Sequence, residues 1–192
     1  MIFCCTHTDN IDYKLNEDYT LLTLDRDGRN IWDKVHFRHL RHIYFVANNL
    51  DQFDYPDTIT IFQKRRYLKN WDIPEGYDCT CSVWNWNPAS VYNQYVLCHD
   101  KKSIDLSKEV IADDEYLMFL GHPMTDISYH NIFTMRTEDF LEYCDFLFNV
   151  LFEIERKLSS WDNACFLGER IGGFYIQKYL PKKQVSQLIE VS

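Results

Sequence analysis

The sequence predicts a single α/β domain built around a central mixed sheet. Short apolar or β-branched segments, the length of buried strands, alternate with longer segments whose apolar residues recur at helical spacing. No internal repeat, low-complexity run or Gly-, Ser- or Pro-rich linker divides the chain. With 192 residues, 46% of them hydrophobic, the chain can bury one sizeable core. We therefore expect one domain over residues 1–180, followed by a loosely ordered tail over residues 181–192.

Four segments are predicted as strands because they are short, rich in apolar or β-branched residues and followed by turn-forming or polar residues. They cover residues 2–7, 57–62, 77–83 and 130–135. The third contains Cys79 and Cys81, whose spacing of two puts both thiols on one face of the strand. We expect these two cysteines to be core residues.

Five segments are predicted as helices from their apolar spacing and their capping residues. They begin at an Asp33 cap, at Asn87-Pro88, at Ser103, at a Thr137 cap and near Ala164. The fourth is the longest, running to about residue 158, and it has the clearest apolar stripe. We expect the glycine pair at residues 172 and 173 to bend or end the last helix, because glycine is a poor helix former.

Composition limits the cellular setting and the partners. The 20 basic residues are outnumbered by 29 acidic ones, and the net charge of −9 disfavours nonspecific nucleic-acid binding by the whole surface. A local basic patch remains at residues 63–69. The apolar start lacks a basic leader and is too short for a membrane span, and the seven cysteines form no CxxC pair. These features predict a cytosolic protein with reduced thiols.

Several motifs follow one another in an order that resembles a known family. They are the strand ending in Thr6-His7, the turn Asp27-Gly28-Arg29-Asn30-Ile31, the run Gln63-Lys64-Arg65-Arg66-Tyr67, Tyr95-x-x-x-His99 with Asp105-Leu106, the strand from His130-Asn131, the long helix containing Glu142-Tyr143-Cys144, and Gly168-Glu169-Arg170-Ile171. This order, over residues 2–180, resembles the capsular-polysaccharide-biosynthesis glycosyltransferase-like proteins of bacteria, a domain of unknown function. The histidine that opens the family's basic run is absent here, and the spacing of the turn is shortened.

The resemblance implies a GT-A-like, Rossmann-like fold and a transferase that uses a nucleotide sugar. Such an enzyme must neutralise the diphosphate leaving group with a metal or with fixed cations. Arg65 and Arg66 follow a predicted strand and offer bidentate phosphate geometry, so we expect catalysis without a metal or other cofactor. A single arginine facing the site is the alternative, and a divalent metal stays open. The only Asp-x-Asp, at Asp25 and Asp27, fits a turn better than a metal site.

The remaining candidate residues come from the same motifs. The resemblance implies donor contacts for His7, Asp27, Asn30, Tyr95, His130, Asn131 and Arg170, and catalytic roles for His99, Asp105 and Glu169. Glu169 suits a general base that activates an acceptor hydroxyl, or else a buried salt bridge with a neighbouring arginine. The histidines at residues 36, 39 and 42 are spaced by three on a predicted helix, which does not favour a metal site.

Three functions fit the sequence. The first is a transferase that adds a sugar to a bacterial surface glycan. The second keeps this chemistry but acts on hydroxymethylcytosine-type bases of phage DNA, with phosphate contacts from the basic patch or from Lys182 and Lys183. The third is a catalytically inactive module that binds a nucleotide or a glycan, suggested by the absent histidine at Gln63 or Lys64. Donor, acceptor, stereochemistry and oligomeric state cannot be derived from these residues.

Overall fold

The computed structural model describes residues 1–6, 18–162 and 164–190. The described residues form eight strands in one mixed sheet and six α-helices, with two short 3₁₀ helices at Val35–Phe37 and Leu50–Phe53. The strands are β1 (Ile2–Cys5), β2 (Thr20–Leu22), β3 (Thr58–Gln63), β4 (Arg66–Leu68), β5 (Cys79–Ser90), β6 (Pro123–Arg136), β7 (Lys183–Val185) and β8 (Leu188–Glu190). The helices are α1 (Leu40–Asn48), α2 (Val91–Cys98), α3 (Lys101–Ile111), α4 (Asp114–Gly121), α5 (Thr137–Lys157) and α6 (Ala164–Tyr179). None of these helices is long and apolar enough to cross a membrane.

The sheet has the strand order β2-β1-β3-β6-β5-β7, with β4 paired to β3 and β8 paired to β4. β1 is parallel to both β2 and β3, whereas β6 is antiparallel to β3 and to β5. The predicted mixed α/β class is therefore confirmed. Because β1 and β3 run in the same direction, their carboxyl ends meet at one edge of the sheet, where α/β proteins commonly bind ligands.

Side chains that alternate along the strands separate into two cores. Phe3, Ile61 and Phe133 join a large cluster to which all six helices contribute buried residues. Cys4 and Phe62, one residue along from Phe3 and Ile61, belong to a small cluster on the other face, formed by strand and loop residues. The helices therefore cover one face of the sheet. Cys79 and Cys81 are both buried in the large cluster, as their spacing predicts.

The pair Gly172 and Gly173 lies within α6, which continues to Tyr179, so the helix does not end at the glycines as the sequence analysis allowed. A Cβ at Gly172 would lie 2.4 Å from the Tyr143 hydroxyl, and one at Gly173 would lie 2.6 Å from the backbone oxygen of Ser128. The two glycines therefore allow α6 to pack closely against β6 and α5. Their conformational cost to the helix is offset by this close contact.

Several element boundaries differ from the sequence predictions. Asn87 and Pro88 lie within β5, and α2 begins three residues later with Ser90 as its cap, whose hydroxyl accepts from the Asn93 amide at 3.2 Å. The helix expected after Asp33 is divided into a 3₁₀ turn, α1 and a second 3₁₀ turn. α4 was not predicted. Thr137 is the first residue of α5 rather than its cap, and its hydroxyl donates to the carbonyl of Pro56.

Residues 181–190 do not form a loose tail, because they supply two strands. β7 is parallel to β5, with Lys183 opposite Cys79, and β8 is antiparallel to β4, with Glu190 opposite Arg66. β8 therefore brings the end of the described chain next to the basic run at residues 63–69. Short, polar edge strands of this kind have almost no apolar periodicity, so the sequence pattern does not reveal them.

We expect Gly173→Ala to destabilise the fold, because the added methyl group would collide with the backbone oxygen of Ser128 rather than with a movable side chain. Overpacking of this kind costs about 1–3 kcal/mol in the free energy of unfolding. Gly121→Ala is the matched control, since nothing lies within 4 Å of a Cβ there. Urea denaturation should show a lower midpoint for the first variant alone. Equal midpoints would contradict the close approach of α6 to β6.

Candidate functional site

A bulge in β6 lies beside the carboxyl ends of β1 and β3. His130 and Asn131 have φ angles of 69° and 51°, a left-handed conformation that is uncommon for residues other than glycine. The pairing of β6 with β3 ends at Phe133, and its register with β5 shifts between Cys81 and Val83. Bulges of this kind redirect side chains and are frequent next to active sites. The Gln63 amide secures this one by donating to the His130 carbonyl at 2.6 Å.

Two elements meet the bulge at the side chain of Asn131. The Tyr143 hydroxyl, from α5, donates to Asn131 Oδ1 at 2.8 Å, and Asn131 Nδ2 lies 3.2 Å from Nε2 of His39, just before α1. This pattern fixes the orientation of the amide, because its oxygen accepts and its nitrogen donates. His42, within α1, places Nε2 3.0 Å from the Thr6 carbonyl. The end of β1, the start of α1 and the bulge are thereby held together.

A buried ion pair from α6 faces this region. Glu169 Oε2 lies 3.2 Å from Arg170 Nη1, and the two side chains are only 6% and 0% exposed. Arg170 also donates to the Phe166 carbonyl at 2.9 Å and to the side-chain oxygen of Gln94, and its guanidinium lies 5.2 Å from the ring centroid of Tyr95. The guanidinium is therefore fixed in position before any ligand binds.

The carboxyl group of Glu169 is poised to exchange a proton near neutral pH. Burial raises its pKa from 4.5 to about 7, and the charges of Arg170, Arg66 and Arg38 oppose the rise. Desolvation therefore outweighs three neighbouring guanidinium groups. A carboxylate with such a pKa is suited to act as a general base, since it is both partly deprotonated and basic enough to accept a proton at physiological pH.

His130 is neutral over the physiological range. Burial, followed by the charges of Arg66 and Arg170, lowers its pKa to about 3. The imidazole can therefore donate or accept a hydrogen bond but adds no positive charge to the site. The charges of Arg66, from the basic run, and of Arg170, from the buried ion pair, therefore both reach His130.

The structure separates the two arginines of the basic run. Arg66 is in β4, and its Nε lies 2.8 Å from Glu190 Oε1 of β8. Its charge acts on both Glu169 and His130, whereas Arg65 is exposed at the turn between β3 and β4. Of the two arginines, Arg66 is the one whose charge reaches the buried carboxyl group, while its side chain pairs with Glu190.

Two other candidates border this cluster. The His99 ring stacks on Phe166 with a centroid distance of 4.3 Å and an interplanar angle of 15°. Burial and the charge of Arg170 lower its pKa. Tyr95 is fully buried, and its hydroxyl lies 2.9 Å from the Ser103 hydroxyl. The buried ring of Tyr95 therefore packs against the Arg170 guanidinium and helps to fix its position.

The structure does not bring the other candidates to the bulge. Asp105 lies on α3, where Lys101 and Lys108 ion-pair with it at 2.6 and 2.7 Å and hold its pKa at about 2. Asp27 is exposed in its turn, and the Asn30 side chain bonds to the backbone of that same turn, donating to the Gly28 carbonyl at 2.8 Å. His7 lies outside the described residues.

Among residues 1–6, 18–162 and 164–190, no group of three or more His, Cys, Asp or Glu side chains is arranged to hold a metal ion. The histidines spaced by three contact different partners. His36 pairs with Glu155 at 2.9 Å, while His39 and His42 make the contacts already described with Asn131 and Thr6. The spacing therefore reflects three separate structural contacts.

Three residues near the ion pair were missed by the sequence analysis. Gln94 holds the Arg170 guanidinium, Glu190 pairs with Arg66, and the charge of Arg38 reaches Glu169. None of them belongs to a motif, and each becomes recognisable only through a partner that is distant in sequence. Only the basic character of Arg38 could have marked it, as one charge in a stretch rich in Arg and His.

Comparisons with known proteins agree with this architecture. A family model described as "Domain of unknown function (DUF4422)" matches residues 75–180. No curated protein matches the chain. Among solved structures, the chain is similar to the apo form of WbbM, a bifunctional glycosyltransferase, with 18% identity and a TM-score of 0.80 over 100% of this chain. The chain spans 45% of that protein's length, and at this identity the likeness shows the fold.

We expect Glu169→Gln to change how stability depends on pH. Because the folded pKa of about 7 exceeds the model-compound value of 4.5, the folded state holds more protons between these values, and wild-type stability falls as pH rises through this window. Glutamine cannot titrate, so the variant should gain roughly 3 kcal/mol relative to wild type from pH 4.5 to pH 7. Urea unfolding at several pH values measures this difference.

Glu109→Gln, at an exposed position on α3, is the matched control for the same chemical change. It should leave most of the wild-type pH dependence in place, because its carboxyl group is not removed from water. Identical pH dependence for Glu169→Gln and wild type would contradict a buried, proton-binding carboxyl group.

Proposed function

The chain belongs to the DUF4422 family of domains of unknown function, and from this membership and its fold we propose that it transfers a sugar from a nucleotide-sugar donor to an acceptor hydroxyl group. The observation that carries the proposal is the buried Glu169 carboxyl group. It is paired with Arg170 and lies within reach of the charge of Arg66, and its pKa is about 7. A glycan is the proposed acceptor, in surface or capsular polysaccharide synthesis, as the family resemblance implies. The structural likeness to a solved glycosyltransferase supports the proposal because it shows that the two proteins share a fold.

Breaking the bond between sugar and nucleotide leaves negative charge on the diphosphate. Preorganised cations stabilise such charge without reorganising during the reaction. In the proposed enzyme Arg66 contacts the diphosphate, because Arg66 lies at the carboxyl edge of the sheet. Arg170 is buried and adds a fixed positive charge that stabilises the developing negative charge. These guanidinium groups take the role that a carboxylate-bound metal ion has in other transferases.

The acceptor hydroxyl must lose a proton as it attacks the sugar. Glu169 is the proposed base, and its buried partner Arg170 stabilises the carboxylate form that accepts the proton. The neutral His130 and the oriented amide of Asn131 are proposed to bind sugar hydroxyls. The His99 ring, which stacks on Phe166, is proposed to shield the site from water. We assign Asp105 a structural role on α3, because two lysines already occupy its carboxylate.

We expect Arg66→Ala to lower kcat/KM for transfer from the preferred nucleotide sugar by about 10²–10³, the loss typical of removing one charge-stabilising group. Arg65→Ala is the matched control from the same run, and it should lower kcat/KM less than threefold because Arg65 is exposed. A panel of nucleotide sugars with detection of the released nucleoside diphosphate measures both rates. Equal losses in the two variants would contradict the assignment of Arg66 to the donor site.

We expect kcat/KM to rise with pH and to level off above about 7, because Glu169 accepts a proton only when it is deprotonated. His130 should contribute no ionisation in this range, since its pKa is about 3. A pH–rate profile between pH 5 and 9 tests this, and Glu169→Gln should lose the rising limb together with most of the activity. A flat wild-type profile would exclude Glu169 as the base.

The same panel separates an enzyme from a binding module. A protein that binds nucleoside diphosphates but releases none from any nucleotide sugar would be a module without catalytic activity. Mass spectrometry of DNA nucleosides, after incubation with hydroxymethylcytosine-containing DNA and donor, would identify a modified base if DNA were the acceptor. Transfer to a glycan acceptor, with unmodified DNA, is the outcome that the proposal requires.

A further inference from the structure

The backbone at Arg38 is strained. Its dihedral angles, φ 46° and ψ −122°, fall in a region that residues with a side chain rarely adopt. The neighbouring structure holds it there: the Arg38 amide donates to the Val35 carbonyl at 3.1 Å, and the Arg38 carbonyl accepts from Nε of Arg41 at 3.1 Å. Phe37, fully buried beside it, anchors the turn. Such strain persists where the surroundings impose it, and it clusters at functional sites.

This conformation places the Arg38 side chain near the buried ion pair. Its guanidinium carbon lies 5.1 Å from the ring centroid of Phe166, the residue whose carbonyl accepts a hydrogen bond from Arg170. The ring of His99 also contacts Phe166, with a centroid distance of 4.3 Å. The charge of Arg38 also opposes the rise in the pKa of Glu169 and contributes to the lowered pKa of His99. Arg38 is therefore at the site, although it is exposed to solvent.

The charges that act on Glu169 do not balance. Three guanidinium groups, of Arg38, Arg66 and Arg170, oppose the rise in its pKa. Arg170 is buried against Glu169. The other nearby carboxylates are engaged elsewhere, since Glu190 pairs with Arg66 and Asp100, beside His99, accepts hydrogen bonds from Ser103. Within the part of the chain that the structure describes, no carboxylate lies within ion-pairing distance of Arg38. A local excess of positive charge in a chain of net charge −9 indicates a site for an anion.

We infer that Arg38 is an anion-binding residue that contacts the diphosphate of the donor together with Arg66. The identity of the anion as a donor diphosphate rests on the proposed function. The inference that Arg38 binds an anion does not. The planar guanidinium offers two parallel N–H groups to phosphate oxygens, and its place over an aromatic ring limits its motion. The strained backbone is retained because an unstrained residue at this position would direct the side chain elsewhere.

The experiment uses the full chain and two probes, inorganic pyrophosphate and uridine diphosphate, with binding measured by isothermal titration calorimetry. Arg38→Gly removes the guanidinium and relieves the strain, since glycine adopts positive φ freely. We expect this variant to melt at a higher temperature than wild type and to bind pyrophosphate at least tenfold more weakly. Arg38→Lys should recover only part of the affinity, because lysine lacks the bidentate geometry.

Ala112→Gly is the matched control for relief of strain. Ala112 has a φ of 48° at the end of α3, so this variant should also melt higher, but it should bind pyrophosphate with wild-type affinity. Weaker binding in Arg38→Gly with a raised melting temperature therefore separates loss of a ligand contact from damage to the fold. Wild-type affinity in Arg38→Gly would overturn the inference.

The outcomes also separate this inference from the proposed function. If Arg66→Ala weakens uridine diphosphate binding and Arg38→Gly does not, the inference fails and the transferase proposal stands. If Arg38→Gly weakens pyrophosphate binding in a protein that uses no nucleotide sugar, the anion site stands and the transferase proposal fails. If wild type binds neither probe, the inference is overturned, and the transferase proposal is overturned as well if no nucleotide sugar of the panel is turned over.

Discussion

The close packing of α6 against β6 is the constraint on which the site depends. Gly172 and Gly173 leave no room for side chains between the helix and the strand, so the two backbones approach closely. Glu169 lies one turn before Gly172 and therefore on the same face of α6, the face that packs against β6. The same approach brings Gly172 to the Tyr143 and Asn131 side chains that secure the bulge. The same helix–strand contact therefore packs the core and positions the proposed base.

This packing also sets the electrostatics. A carboxyl group held at 5% exposure loses most of its hydration, and the resulting cost exceeds the attraction of the surrounding guanidinium groups, so the pKa of Glu169 rises. Removing Arg170 would leave this carboxylate without its buried partner, which is costly, whereas the intact pair contributes little net stability. Stabilisation of the fold therefore does not explain the pair, whereas the proposed transfer reaction does, since it needs a base for the acceptor proton and a cation near the leaving group.

The sequence predicts the elements with strong periodicity and misses those that depend on distant partners. The long helix α5 and the buried strand β3 follow directly from their apolar patterns. β7 and β8 do not, since each has three residues and gains its hydrogen bonds from strands far earlier in the chain. At the site, the motif order selects Arg66 and Glu169, and the charge of Arg66 acts on Glu169. It cannot distinguish them from Asp105, whose carboxylate serves an ordinary helical ion pair, and it gives no sign of Arg38.

The segment beyond the residues matched by the family model takes part in the site through one contact. The family match ends at residue 180, yet Glu190 of β8 pairs with Arg66. The pair is largely exposed to solvent, with the two side chains 36% and 61% exposed, and such pairs contribute little to stability. A diphosphate carries more charge than one carboxylate and can use the remaining N–H groups of the guanidinium. In the proposed transferase, Glu190 would hold Arg66 in place before a diphosphate binds and release it afterwards, so that β8 would position Arg66.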